Sequence, residues 1–233
     1  MEKYNKLVCV FADHTIFNSN AVTKFEHLTG EHTVILYSLL LMNNLDNLKR
    51  SNLENEIAIC LEKNDRDFLP KEFLDKNHNL IFVDKITDNE SIDMLNGSYF
   101  ENYSSNLLLR VETMGISAGT YDKIFNLLSV EDEVIVIGKT VQNRVTFIGF
   151  NSIKNNFLKS LLVKKYNYDK ILKEIAKRDV FVHTLDDFEL VTTFEEFKNL
   201  YYQLSKKDSL SYCSQEMHER FTNLFIEYKD QLK

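Results

Sequence analysis

Short apolar runs alternate along the chain with longer stretches in which apolar residues recur at helical spacing. Leu7–Ala12, Glu56–Leu61, Leu80–Val83, Leu107–Val111, Val134–Ile137, Val145–Ile148 and Val180–Thr184 read as strands, and Phe188–Val191 as a further short one. Thr33 to about Lys49 reads as a helix whose leucines, Leu36, Leu40, Leu41, Leu45 and Leu48, are joined by Val34, Ile35, Tyr37 and Leu39, so it is buried on more than one side. A helix capped by Ser117 or Thr120 carries Tyr121, Ile124, Phe125 and Leu128 on one face. Ile153–Val163 and Tyr168–Ala176 are further helices, and Pro70 leads a short one over Leu69–Leu74. Thr193-Phe194-Glu195-Glu196 is a capping-box pattern that opens another. The last helix, about Ser214–Leu232, has a stripe of Phe221, Leu224, Phe225, Tyr228 and Leu232 that packs on its own domain or meets a partner. Asp88–Tyr103 gives mixed signals, with Gly97 interrupting Ile92, Leu95 and Tyr99. Asp13–His32 has no period and reads as a long loop.

Strands alternating with helices predict an α/β fold: a mixed, mostly parallel sheet with helices on both faces. The pair around Gly138–Val145 is its hairpin-like element, with each strand ending on a glycine, Gly138 or Gly149. Residues 1–205 form the predicted α/β domain, and residues 206–233 a C-terminal helical extension. Such sheets bind ligands beyond the carboxyl ends of their strands. The residues there are Asp13 and His14, Asp84, Glu112 and Thr113, Lys139, and the Asp186-Asp187 pair.

Charge narrows the partners. The formal net charge of −7 argues against nucleic acid and against an anionic membrane surface, both of which need a basic face. Cys9, Cys60 and Cys213 form no Cys-x-x-Cys pair, and buried free thiols are expected. The apolar part of the start, MEKYNKLVCVFADHT, is too short for a signal peptide, and Val34–Met42 is too short to span a bilayer. A cytoplasmic location is the expectation.

Four segments carry a family likeness. Gly138-Lys139-Thr140-Val141-Gln142-Asn143-Arg144-Val145-Thr146-Phe147-Ile148-Gly149 keeps the end glycines of a G-P-x-x-D-G-G-Y-Y-L-I-G pattern, with Gln142, Asn143 and Arg144 replacing its acid and paired glycines. Glu112-Thr113-Met114-Gly115-Ile116 stands where a strand ends in D-x-P-x-L. Val22-Thr23-Lys24-Phe25 stands for K-T-R-L, and Leu190 to Phe197 for D-x-D-T-x-x-D-L. Over about residues 5 to 205 the chain thereby resembles a bacterial family of small stand-alone sugar-nucleotide transferases with the glycosyltransferase-A type fold.

The resemblance implies a nucleotide-diphospho-sugar transferase-like protein, a glycosyltransferase or nucleotidyltransferase if active. It implies magnesium or manganese as cofactor, a nucleotide-sugar or other small molecule as partner, and Glu112 as a catalytic and metal candidate, while Asp13, at the end of the first strand, is a second catalytic candidate and Asp186, a few residues from the lost D-x-D, a second metal candidate. Lys24, Lys139, Arg144 and Gln142 become the candidates for nucleotide or phosphate. The departures weaken metal-dependent catalysis, because Leu190 cannot ligate a cation and Gln142 offers only a neutral carbonyl. The alternative is a non-catalytic binding or assembly protein on the same fold, with a second copy of the chain as a candidate partner. Each candidate also has a plainer reading. Glu112 reads equally as a solvated strand-end acid, His14 as an exposed loop residue, Glu196 as a cap, Asp186-Asp187 as a turn, and His183 as a half-buried strand residue.

Overall fold

A computed structural model describes residues 6–74, 78–84, 100–151 and 166–232. In chain order its strands are β1 (Lys6–Phe11), β2 (Glu56–Glu62), β3 (Asn79–Val83), β4 (Ser105–Arg110), β5 (Thr113–Met114), β6 (Val134–Lys139), β7 (Val145–Asn151), β8 (Phe181–Leu185) and β9 (Glu189–Leu190). The helices are α1 (Gly30–Arg50), α2 (Ala118–Val130), α3 (Tyr168–Ile175), α4 (Phe194–Leu204) and α5 (Gln215–Glu227). A seven-stranded sheet runs in the order β3-β2-β1-β4-β7-β6-β8, and β5 pairs with β9 in a separate two-stranded ribbon. Within the large sheet β7 alone runs antiparallel to its neighbours β4 and β6. The predicted mixed, mostly parallel α/β fold is therefore present.

Side chains alternate across this sheet. Val8, Val10, Leu107, Leu109, Val134 and Val136 face a core built with α1, α2, α4 and α5. Leu7, Cys9, Phe11, Leu108, Ile135 and Ile137 face the opposite core, where α3 contributes Ile171 and Ile175. Burial on both faces explains why the strand sequences are continuously apolar. The three cysteines are free and buried, as expected.

Several boundaries differ from the expectation for local reasons. The first helix begins at Gly30 because the Thr29 side chain accepts from the His32 N–H. Pro70 precedes only a 3₁₀ turn, Lys71–Phe73. Ser117 supplies the cap of α2, and the capping box at Thr193 and Glu196 forms in both directions. Gly138 and Gly149 lie inside β6 and β7 rather than ending them. Gly138 pairs with Phe147, and a Cβ on Gly138 would come within 2.1 Å of that ring. His183 lies in β8 as predicted, but that strand closes one edge of the sheet and the histidine is exposed. The last helix stops at Glu227, and its stripe packs into the core of its own domain against α1. The helix expected over Ile153–Val163 and most of Asp88–Tyr103 lie outside the described residues. No helix among the described residues is long and apolar enough to cross a membrane.

Candidate active site

The chain leaves β1 toward β2 on one side and returns as β4 on the other, so the carboxyl ends of β1 and β4 meet at a topological switch point. Asp13 and His14 follow β1, and Arg110 and Glu112 close β4. His14 Nδ1 lies 2.8 Å from Asp13 Oδ1 and 3.7 Å from Glu112 Oε1. An Arg110 terminal nitrogen donates to the same Glu112 oxygen at 3.3 Å. The Arg110 guanidinium also sits 4.9 Å from the centroid of the Tyr166 ring, and the His14 ring meets Tyr37 edge-on at 5.0 Å.

Glu112 is 1% exposed, which overturns its reading as a solvated strand-end acid. His14 is likewise half-buried rather than exposed. Glu112 Oε2, His14 Nε2 and Arg110 Nε are buried with no hydrogen-bond partner among the described residues. Buried polar atoms left open in this way are costly, and a cluster of three at strand ends points to a ligand.

Neighbouring segments hold the cluster rigid. Asn44, buried on α1, donates to the carbonyls of Val111 and Thr113 on either side of Glu112, at 3.3 and 3.1 Å. The Glu112 carbonyl accepts from the Val191 N–H at 3.0 Å. After β1, the Asp65 carboxylate accepts from the backbone N–H groups of Ile16, Phe17 and Asn18, the shortest at 2.7 Å. Thr15 adds a bond to Glu62 at 2.9 Å. The long loop found in the sequence is thus tied, at its start, to the turn that follows β2.

Charge orders the protonation states. Burial pushes the Asp13 carboxyl up, but the His14 hydrogen bond and the Arg110 charge outweigh it and hold the group below its usual range. Burial pushes the His14 imidazole down, yet the Asp13 bond and the Glu112 charge raise it overall. Tyr37 and Tyr166 are both pushed up, first by burial and then by the nearby carboxylates. The His14 contribution to stability is therefore full below 6.5 and fades as pH rises through the raised value. The Asp13 contribution is full above 3.8 and fades as pH falls through the lowered value. Between those limits the pair is charged and most favourable. Asp13→Asn is expected to lower the His14 titration midpoint, read by NMR in metal-free buffer. A midpoint that does not move would show that Asp13 does not set it.

Of the residues singled out in the sequence, Asp13 and Glu112 converge, together with His14. The others are engaged elsewhere. Lys139 pairs with Asp186 at 3.1 Å and lies over the Tyr168 ring, so Asp186 stands outside the cluster. Asp187 follows with φ of 75°, a turn conformation that Asp tolerates. Arg144 donates to Glu196 and to Thr192 Oγ1, while Glu196 also accepts from both Thr192 and Thr193. Gln142 and Lys24 are exposed. Asn143 takes φ of 60°, so it fills the left-handed position that the resembling pattern gives to glycine. Leu190 is buried in β9. Arg110 is the residue that sequence reasoning missed. A basic residue at a strand terminus resembles any surface cation, and only the β1–β4 pairing brings it to Glu112.

Asp13, His14 and Glu112 can each offer a ligand atom, all within 4.8 Å of one another. Two carboxylates and an imidazole suit a divalent cation, and a small contraction would bring them to coordinating distance. The open Glu112 Oε2 supports that fit.

No family model matches the chain, and no curated protein matches it in sequence. Solved structures do. The chain is similar to a protein of Desulfovibrio desulfuricans G20 assigned provisionally as a nucleotide-diphospho-sugar transferase, with a TM-score of 0.73 and 16% identity over 97% of this chain and 98% of that one. It is similar to 4-diphosphocytidyl-2C-methyl-D-erythritol synthase from Anaerococcus prevotii DSM 20548, with a TM-score of 0.55 and 18% identity over 84% of this chain and 96% of that one. It is also similar to Rv0371c of Mycobacterium tuberculosis H37Rv in complex with manganese, with a TM-score of 0.52 and 12% identity over 84% and 97% of the two chains. At these identities the likeness concerns the fold, and the fold is that of nucleotide-diphospho-sugar transferases.

Proposed function

We propose that the protein binds a nucleotide-diphospho-sugar at the carboxyl ends of β1 and β4 and acts on it as a transferase. The observation behind this reading is the meeting of half-buried Asp13 and His14 with buried Glu112 at the switch point, with open polar atoms on His14 and Glu112. Asp13, His14 and Glu112 would hold a divalent cation there, manganese before magnesium because one donor is an imidazole nitrogen. When bound, such an ion offsets negative charge on a diphosphate leaving group. The chain's own part is to present two carboxylates in a fixed frame, with Asn44 and Asp65 holding the two loops.

The test is a melting-temperature screen of nucleoside diphosphates and their sugar esters, with and without manganese, on wild type and Glu112→Gln. A rise that needs manganese and falls at least tenfold in apparent affinity in Glu112→Gln is expected. No shift with any nucleotide, with or without the ion, would remove the reading.

A second reading is favoured by a specific feature. Lys139 and Arg144, the cations of the β6–β7 hairpin, are each committed to an acid, Asp186 and Glu196. A protein with its phosphate-side cations so occupied could bind the nucleotide-sugar without transferring it. Tight binding with no release of nucleoside diphosphate over hours, across acceptor classes, selects this second reading.

A further inference from the structure

Arg110 stands apart from the other cations near the strand ends. Its ion-pair partner among the described residues is Glu112, the same carboxylate that faces the candidate metal position. Its side chain is 12% exposed, and its buried Nε has no partner among the described residues. A guanidinium presents five N–H donors in a planar fork that matches phosphate oxygens two at a time. The Tyr166 ring, 4.9 Å away, gives that plane a surface on which to lie.

Charge decides what this arrangement does. Without a metal, Arg110 offsets Glu112. A divalent ion on Asp13, His14 and Glu112 would share the Glu112 carboxylate with Arg110, which holds it through Oε1, and would set a second positive charge beside the guanidinium. The loaded cluster would hold two carboxylates against the ion and a fixed guanidinium, one positive charge in excess, a poor arrangement for a largely buried site. A diphosphate brings the missing negative charge and an acceptor for the open donors of the fork.

We propose that Arg110 is a diphosphate-binding residue held in reserve by Glu112, so that it opposes the metal alone and favours the metal–diphosphate complex. This rests on the metal and diphosphate reading above and goes beyond it in naming the residue that couples the two ligands.

The experiment uses full-length wild type, Arg110→Gln and Arg110→Lys, with two probes: manganese alone, followed by loss of the free-ion EPR signal, and preformed manganese–pyrophosphate, followed by calorimetry. Arg110→Gln is expected to bind manganese alone about tenfold more tightly than wild type, because the neighbouring positive charge is gone. It is expected to bind manganese–pyrophosphate about tenfold more weakly, because the fork is gone. Opposite changes of this kind do not arise from general loosening of the fold. Arg110→Lys keeps the charge without the fork, so manganese alone should bind as in wild type while the complex binds more weakly. It also stands in if the Gln variant melts early. Affinities for the two probes that fall together, or that do not change in either variant, overturn the proposal alone. Wild type that takes up neither probe overturns it together with the reading on which it rests.

Discussion

Asp65→Ala will lose about 3 kcal/mol of unfolding free energy, seen as a lower urea midpoint with an unchanged slope. The carboxylate is fully buried and accepts from three consecutive backbone N–H groups, those of Ile16, Phe17 and Asn18. Each buried donor left without an acceptor costs about 1–3 kcal/mol, and water can repair only part of that. Burial is the leading influence on Asp65 and raises its pKa despite the three bonds. The effect of the substitution therefore comes from the orphaned donors more than from the charge. Asp65→Asn keeps one acceptor oxygen and should fall between wild type and Ala. A loss under about 1 kcal/mol in the Ala variant would mean that the loop after β1 is held by other contacts.

Gly138→Ala should cost a similar amount, about 3 kcal/mol, at the upper end of what overpacking does. The added methyl would meet three ring atoms of Phe147, the farthest at 2.5 Å. That ring is buried and is itself packed edge-on against Phe188 at 5.2 Å, so it has little room to retreat. The backbone at the β6–β7 irregularity between Gly138 and Lys139 would have to move instead. Gly149 offers a contrast, since a Cβ there meets Ile124 and Leu128 at 3.3 Å, and those side chains can adjust. Thermal unfolding of the two alanine variants should rank Gly138→Ala well below Gly149→Ala. Equal midpoints would show that Phe147 rotates freely.

The sequence made the frame readable and only part of the site. Strands buried on both faces are uniformly apolar, so β1, β2, β4, β6 and β7 stand out, whereas β5, of two residues, is too short to impose a period, and β9, also of two residues, is legible only within the run Phe188–Val191. Asp13 and Glu112 were legible because each follows an apolar run directly. Their meeting was not, since it depends on β4 adding beside β1 after β2 and β3 have gone to the other side. The same non-local pairing decides which cations are free. Arg144 looks available in a hairpin loop until α4 brings Glu196 to it, and Lys139 until the turn after β8 brings Asp186. Burial of Glu112 depends on clamps from α1 and from Val191, far from it in sequence.

The packing of α5 on α1 also bears on how the chain is made. Tyr228 receives the Thr29 N–H at the start of α1, and Phe221 and Phe225 lie in the core that α1 shares. The ribosome delivers Thr29 199 residues before Tyr228. Until Tyr228 has cleared the exit tunnel, one apolar flank of α1 stays bare, so the nascent chain depends on shielding until α5 follows.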